Sequence, residues 1–406
     1  MRSDGERALG GLLEASHLAA MEDLPPLIAE HARLVGLTHT LVYVADLQQQ
    51  HLVPLPGQLD AAGRELERLG IDTTLPGRSF RAVELVYTVP VRSGGGARRV
   101  WVPLLDGTER IGVLGATVPD GDMSLVEWRI KQLASLVALL VVSKRPHSDS
   151  YARLVRARPM TLSAEVMWSL LPPGTFADET VVVSAALEPA YEVGGDAYDY
   201  AIDGDVLHAS LFDAMGHDTS AGLTASVAMA ACRHNRRQGV ELPELSEAVD
   251  KAIGEQFTGR FATGLLATLE LESGRLRWVN RGHHPPLVIR GGQRVATLES
   301  TPIPDPPMGF GLGMSTGLMQ YQLEPGDRLL FYTDGIVEAR SPRGEVFGLE
   351  RFVDFVVRHE ADGVSAPETL RRLIQAIMRH QDGRLDDDAT VMTIEWRSQD
   401  RHLMTI

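Results

Sequence analysis

The chain of 406 residues has a single cysteine, Cys232. That excludes an internal disulfide framework and fits a reducing, cytoplasmic setting. Cys232 lies in the apolar run 225–232, the usual place of a small buried hydrophobe. Long hydrophobic runs are also missing. The longest, 133–142, is ten residues including Ser135, whereas a membrane-spanning helix needs about 20. It reads as a packed helix, and no membrane contact is expected. The start, MRSDGERALG, has no apolar core segment, so no signal peptide is expected. Basic charge is scarce. Lys+Arg number 39 against 54 Asp+Glu, a formal net charge of −15. This balance argues against non-specific binding to nucleic acid or anionic lipid. No His/Cys cluster with zinc spacing, no G-x-S-x-G, no kinase motif set and no G-x-G-x-x-G occurs. Ser93-Gly94-Gly95-Gly96 lacks the lysine and helix of a P-loop and reads as a hairpin connection.

What is present is an ordinary globular composition, 44% apolar and 23% charged, over a length that suits two to three domains. Residues 1–35 read as helices, with Gly36 as a C-terminal cap. Strands are expected at 40–45, 85–91, 100–105 and 110–118, with a helix at 57–69. The spacing predicts a helix over 124–144, with Ser124 as N-cap and Glu127 completing a capping box. Within it Val126, Ile130, Leu133, Val137 and Leu140 recur at spacings of 4, 3, 4 and 3. Two readings of that stripe stand open: a short coiled-coil seam supporting a parallel homodimer, or a helix packed on its own sheet. Residues 144–160 carry Lys144, Arg145, Arg153, Arg156 and Arg158 against one acid, Asp149, and read as a solvated connector. The expected division is 1–122 as a first domain, 123–160 as a helical linker, 161–397 as a second domain and 398–406 as a tail.

The second domain is expected to be richer in strands. Helices are expected at 161–171, 218–236, 242–257, 349–359 and 366–380. Strands are expected at 180–187, 206–212, 263–271, 276–280, 286–289, 295–298, 321–323, 328–333 and 389–396. Antiparallel strands with paired helices imply two packed sheets with helices outside, an α+β class.

Acids recur at one kind of place, the rim of a strand next to a turn. Asp213 ends the strand 206–212 before Ala214-Met215-Gly216-His217. Asp334 follows the strand 328–333, and Asp387 or its neighbours enter 389–396. Asp196 is a fourth, at the turn Gly194-Gly195-Asp196 before the hairpin at Asp203-Gly204. Each alone is an ordinary turn acid. Together they would repel unless a cation lay between them, and oxygen donors suit hard ions such as Mg²⁺ or Mn²⁺. His283-His284, an adjacent pair, reads as a turn or packing feature because adjacent side chains diverge on a strand.

Five ordered motifs carry a resemblance. They are Gly194-Gly195-Asp196-Ala197-Tyr198-Asp199, Asp213-Ala214-Met215-Gly216-His217, Arg281-Gly282-His283-His284-Pro285-Pro286-Leu287, Tyr332-Thr333-Asp334-Gly335-Ile336-Val337-Glu338-Ala339 and Asp387-Asp388-Ala389-Thr390. In this order, over about 160–397, the chain resembles the SpoIIE/RsbU-type branch of the PPM, or PP2C-like, serine/threonine phosphatases. The resemblance implies an αββα sandwich and two divalent cations, Mn²⁺ or Mg²⁺. Asp213 would be shared by both ions, with the Ala214 carbonyl beside it. Asp196 would lie on the second ion's side, and Asp334 and Asp387 would complete the first, with Asp388 one register step away. It also implies attack on phosphoserine or phosphothreonine by water activated at the ions, without a protein nucleophile. The implied substrate is a phosphorylated STAS-type anti-sigma-factor antagonist. The element order of 1–122 resembles a GAF domain, a smaller α/β sensor that would take a small-molecule or protein signal and gate the phosphatase through 124–144 and 161–171. Two other readings compete: a catalytically weak module that sequesters a partner, and a ligand sensor with a scaffold C-terminal half.

Two positions depart from the family pattern. Asp218 stands where glycine is usual, and its residue type suits a helix N-cap. Arg281-Gly282-His283-His284 replaces Ala-Gly-His-Asn, placing an arginine where substrate acceptance could change.

Overall fold

In the computed structural model the chain divides into two units, Met1–Pro159 and Met160–Ile406. The structure describes all residues except 1–2, 61, 89–97, 119–122, 190, 193, 300–304, 313–316, 384 and 398–406. The glycine loop 93–96, the tail and Val193 therefore lie outside the described residues.

The first unit comprises α1 (Asp4–Ser16), α2 (Leu24–Arg33), β1 (Thr38–Ala45), β2 (His51–Pro54), β3 (Leu69–Gly70), α3 (Leu75–Ala82), β4 (Val86–Tyr87), β5 (Arg98–Asp106), β6 (Glu109–Val118), α4 (Met123–Lys144) and α5 (Asp149–Leu154). Its six strands form an antiparallel sheet in the order β3-β2-β1-β6-β5-β4. One face packs on α1, α2 and α4 through Leu12, Ile28, Val44, Leu114 and Val137. The other packs Phe80 of α3 against Tyr43, Trp101 and Val113.

Two sequence expectations change here, and one open choice is decided. Among the described residues of 57–69 none is helical. Asp60 accepts from the backbone N–H groups of Ala62 and Arg64, and a Leu59–Glu65 bridge closes the loop, so a local Asx-type turn replaces the helix. The helix α4 already includes Ser124, which is not its cap, and the Glu127 carboxylate accepts from the Tyr87 hydroxyl at 2.8 Å. The heptad residues Ile130, Leu133, Val137 and Leu140 are buried in the unit's own core. The stripe left outside on α4 is Leu125, Trp128 and Leu139, exposed by 44%, 57% and 56%.

The second unit adds α6 (Leu162–Leu170), β7 (Thr175–Ala177), β8 (Val181–Glu188), β9 (Asp196–Asp203), β10 (Val206–Ala214), α7 (Thr219–Arg236), α8 (Leu242–Gln256), β11 (Ala262–Glu270), β12 (Arg275–Arg281), β13 (Leu287–Arg290), β14 (Gln293–Thr297), β15 (Met319–Gln322), β16 (Arg328–Tyr332), α9 (Asp334–Val337), α10 (Leu349–Ala361), α11 (Ala366–His380) and β17 (Ala389–Trp396). The strands form two antiparallel sheets, β15-β12-β11-β10-β9 and β14-β13-β16-β17-β8-β7. Strand β17 shows how the layers form. Its side chains alternate between faces. Met392, Ile394 and Trp396 enter the core between the sheets with Leu211 and Leu265. Ala389 and Val391 face the other way, into a second core with Phe352 of α10 and Leu373 of α11. Burial on both faces makes the strand a nearly continuous apolar run. The helices α7 and α8 cover the outer face of the five-stranded sheet, with Ala225, Ala228, Met229, Leu245 and Val249 buried. The second unit is thus an α+β sandwich of four layers, helices–sheet–sheet–helices.

Candidate metal centre

The hairpin β9–β10 places two acids side by side. Asp196 opens β9, Asp213 nearly closes β10, and the two are Cα partners across the pair. On the other flank of β10, Thr263 of β11 stands opposite Asp213. The run Leu211-Phe212 anchors the strand end by full burial, while Asp213 remains half-buried at the rim. Beyond it the chain turns at Gly216 into α7. Asp218 caps that helix, its Oδ1 accepting from the Ala221 N–H at 2.8 Å. Its Oδ2 accepts from Arg260 at 2.6 Å, and Arg260 also donates to the Met215 carbonyl at 3.1 Å. The residue that departs from the family pattern therefore holds the turn next to Asp213.

The other sheet supplies the remaining acids at the ends of neighbouring strands. Strand β16 ends at Tyr332, and Asp334 opens α9. Asp387 and Asp388 lead into β17. The hydroxyls of Thr333 and Thr390 donate to Asp196 Oδ2 at 2.7 and 2.6 Å, so a carboxylate of one sheet is gripped by two threonines of the other. Asp388 Oδ2 accepts from the backbone N–H groups of Gly194, Gly195 and Asp196 at 2.7, 2.7 and 3.1 Å. Two glycines permit this closeness. A Cβ on Gly195 would lie 2.1 Å from the Ala214 carbonyl oxygen, and one on Gly335 would lie 1.9 Å from that of Asp388.

The five acids fall into two groups. Asp196 and Asp388 are buried and already accept hydrogen bonds. Asp213 and Asp334 are half-buried and Asp387 is exposed, so their carboxylates can be reached from solvent. Burial, then the neighbouring charges of Asp334, Asp387 and Asp388, pushes the Asp213 carboxyl up to about 7. Burial also raises Asp388 to about 6, against the three N–H donors that pull it down. Asp196 is held well above the carboxylate range by burial and by Asp213 and Asp388, despite its two threonine donors. Burial raises Asp387 as well.

This donor set, carboxylates and a neighbouring carbonyl with no thiolate or imidazole, fits hard divalent cations. Among the described residues no three His, Cys, Asp or Glu side chains are already drawn together at ion-holding spacing. The carboxylates are gathered around one rim without closing on a common point, as like charges do.

The sequence singled out Asp196, Asp213, Ala214, Asp334 and Asp387, and the fold brings all five to this rim. Asp388 acts as the anchor of the Gly194–Asp196 loop. Sequence reasoning missed Thr333 and Thr390, which sit beside Asp334 and Asp388 inside quoted motifs. It also left Asp199 without a role. Asp199 is buried and bridges Arg233 and Arg236 of α7 at 2.6 and 2.7 Å, tying helix to strand. The two arginines three residues apart on one helix face were the available signal. Arg281 is turned away from solvent. It is buried, donating to the Pro306 carbonyl and to Ser246 Oγ.

Known proteins share this architecture. The SiaA-PP2C domain of Pseudomonas aeruginosa superposes with a TM-score of 0.50 at 19% identity, covering 58% of this chain and 94% of that one. The C-terminal unit therefore has the PP2C-like fold. Residues 203–397 match the family model described as Stage II sporulation protein E (SpoIIE). Over that segment the unit is similar to SpoIIE-type domains, and Asp196 lies just before it. Protein IcfG of Synechocystis sp. is 29% identical over 135 residues, 33% of this chain but only 20% of that protein. Phosphoserine phosphatase RsbU of Bacillus subtilis is 22% identical over 240 residues, 57% of this chain and 68% of that one.

Proposed function

We propose that the C-terminal unit is a metal-dependent serine/threonine protein phosphatase. The observation that carries this reading is the convergence of Asp213, Asp334 and Asp387, from three distant segments, as reachable carboxylates at one rim. In the proposed site Asp213, the Ala214 carbonyl, Asp334 and Asp387 would hold two divalent cations, Mn²⁺ or Mg²⁺. Asp196 contributes through a carboxylate already fixed by Thr333 and Thr390. Ions bound there would supply Lewis acidity toward phosphoryl oxygens and an activated water for in-line attack. The chain's own residues hold the carboxylates in place and leave the rim open to a phosphorylated side chain.

The proposed substrate is a phosphorylated regulatory protein of the STAS type, an anti-sigma-factor antagonist. The similarity to a phosphoserine phosphatase, RsbU, supports a phosphoserine target. The N-terminal unit is proposed as a GAF-like sensor that gates the activity in response to a small-molecule or protein signal. Among the described residues no helix is long and apolar enough to cross a membrane, which suits the proposed cytoplasmic setting. A homodimer is proposed through the outer α4 stripe of Leu125, Trp128 and Leu139, because the inner heptad residues are buried.

The competing reading is a module that sequesters a partner without turnover. Phosphate release from phosphorylated STAS proteins, with and without Mn²⁺, separates the two. Mn²⁺-dependent release supports the phosphatase. Tight binding of the phosphoprotein with no release at any metal concentration supports the module.

A further inference from the structure

We propose that His283 is a positioning residue that sets the separation of Asp213 and Asp334. This rests on the metal-centre reading above. Thr263 stands directly across β10–β11 from Asp213. Its Oγ1 lies 2.8 Å from His283 Nδ1, and His283 Nε2 lies 3.1 Å from the Tyr332 carbonyl oxygen. Tyr332 ends β16, two residues before Asp334. The imidazole thus joins a strand of one sheet, beside the first acid, to a strand of the other, just before the second.

The proton positions follow from the partners. A carbonyl only accepts, so Nε2 carries the hydrogen and donates to Tyr332. Nδ1 is then bare and accepts from the Thr263 hydroxyl. That hydroxyl is also within hydrogen-bonding reach of Asp213, so H283N rather than T263V isolates the bridge. One donor and one acceptor on a neutral ring satisfy both neighbours. The ring's base is fixed as well. The Asn280 side chain accepts from the His283 N–H at 2.8 Å and donates to its carbonyl at 2.9 Å. His283 is therefore held at its backbone and at both ring nitrogens, which suits a spacer.

Backbone ladders set distances within a sheet, but only side chains can set them between these two sheets. Asp196, gripped by Thr333 and Thr390, ties β9 to the second sheet on one side of β10. His283 ties β11 to it on the other. The end of β10, with Asp213, lies between the two ties. Outer partners of this kind commonly alter metal affinity by about 10–100-fold when removed.

The test is Mn²⁺ binding to the full chain, by calorimetry or electron paramagnetic resonance, beside thermal melts. Thr263→Val is nearly isosteric and removes only the hydroxyl, and Thr263→Ser restores it. T263V is expected to bind Mn²⁺ about 10–100-fold more weakly, with T263S close to wild type. H283N is expected to lose a similar factor, and the double variant T263V/H283N no more than the larger single loss, because both cut one bridge. Wild-type Mn²⁺ affinity in H283N, or losses that add in full, overturns the inference. Absence of Mn²⁺ binding by the wild-type chain overturns the metal-centre reading, and this inference with it.

Discussion

Thr390 donates its hydroxyl hydrogen to Asp196 Oδ2 at 2.6 Å, from one sheet to the other across 194 residues of sequence. Thr333 donates to the same oxygen, and the Thr390 N–H donates to Thr333 Oγ1 at 2.9 Å. Burial and the neighbouring Asp213 together hold the Asp196 carboxyl well above the carboxylate range, and these two hydroxyls pull the other way. The contact joins the two halves of the sandwich where the acids gather.

Thr390→Val removes one donor from that carboxylate at almost constant volume. Burial favours the neutral form of Asp196, and a hydrogen bond to a neutral partner contributes about 0.5–1.5 kcal/mol. T390V is expected to lose stability by about that amount in urea denaturation, and T390S to retain most of it. A T390V midpoint equal to wild type would show that the contact is not stabilising.

Gly335→Ala places a Cβ 1.9 Å from the Asp388 carbonyl oxygen, in backbone that cannot move without shifting Asp387 and Asp388. The expected cost is about 1–3 kcal/mol or more, together with weakened Mn²⁺ binding. Gly10→Ala is the control, since nothing lies within 4 Å of that position in α1. It is expected to be neutral or to stabilise by roughly 0.5–1 kcal/mol. Equal effects of the two substitutions would contradict the packing argument.

The acid cluster sets a pH dependence. Asp213 sits at about 7 in the folded chain against an ordinary value of 3.8, and Asp388 at about 6. Between those values the folded state binds more protons than the unfolded state. Stability therefore falls as pH rises through that window, and is greatest, for these groups, below the unfolded value. In EDTA the melting temperature of the C-terminal unit is expected to fall between about pH 4 and 7 and to level off above that. Excess Mn²⁺ is expected to flatten the fall by stabilising the ionised carboxylates. A melting temperature in EDTA that rises across the window contradicts the clustering.

Trp128 tests the proposed dimer. It is 57% exposed on α4, between Leu125 and Leu139 on the same outer stripe. If two copies pair through this face, W128E is expected to shift the chain from dimer to monomer in light scattering at micromolar concentration without loss of stability. A wild-type monomer across that range contradicts the dimer.

Much of the fold was legible because burial on two faces leaves a plain trace. The sequence places strand β17 at 389–396, and its observed bounds are Ala389–Trp396. Asp218 was read as an N-cap from residue type and position alone, and its side chain caps α7. The failures share a cause. At 57–69 the composition favours a helix, but the Asp60 side chain captures two backbone N–H groups and folds a loop instead. The heptad on α4 was a true apolar stripe, yet spacing cannot say whether the partner is a second chain or the helix's own sheet. At the site the motifs gave the acids. They did not give the roles of Asp388, Thr333 or His283, because those depend on contacts between sheets that no local spacing encodes.

Asp213→Asn tests the central claim most directly. It keeps the side chain's size and removes a carboxylate at the rim where the three reachable acids gather. Measured as Mn²⁺-dependent phosphate release from a phosphoserine protein, D213N is expected to lose activity by about 100-fold or more, with Mn²⁺ affinity falling in parallel. Undiminished, Mn²⁺-dependent turnover in D213N would contradict the two-ion centre.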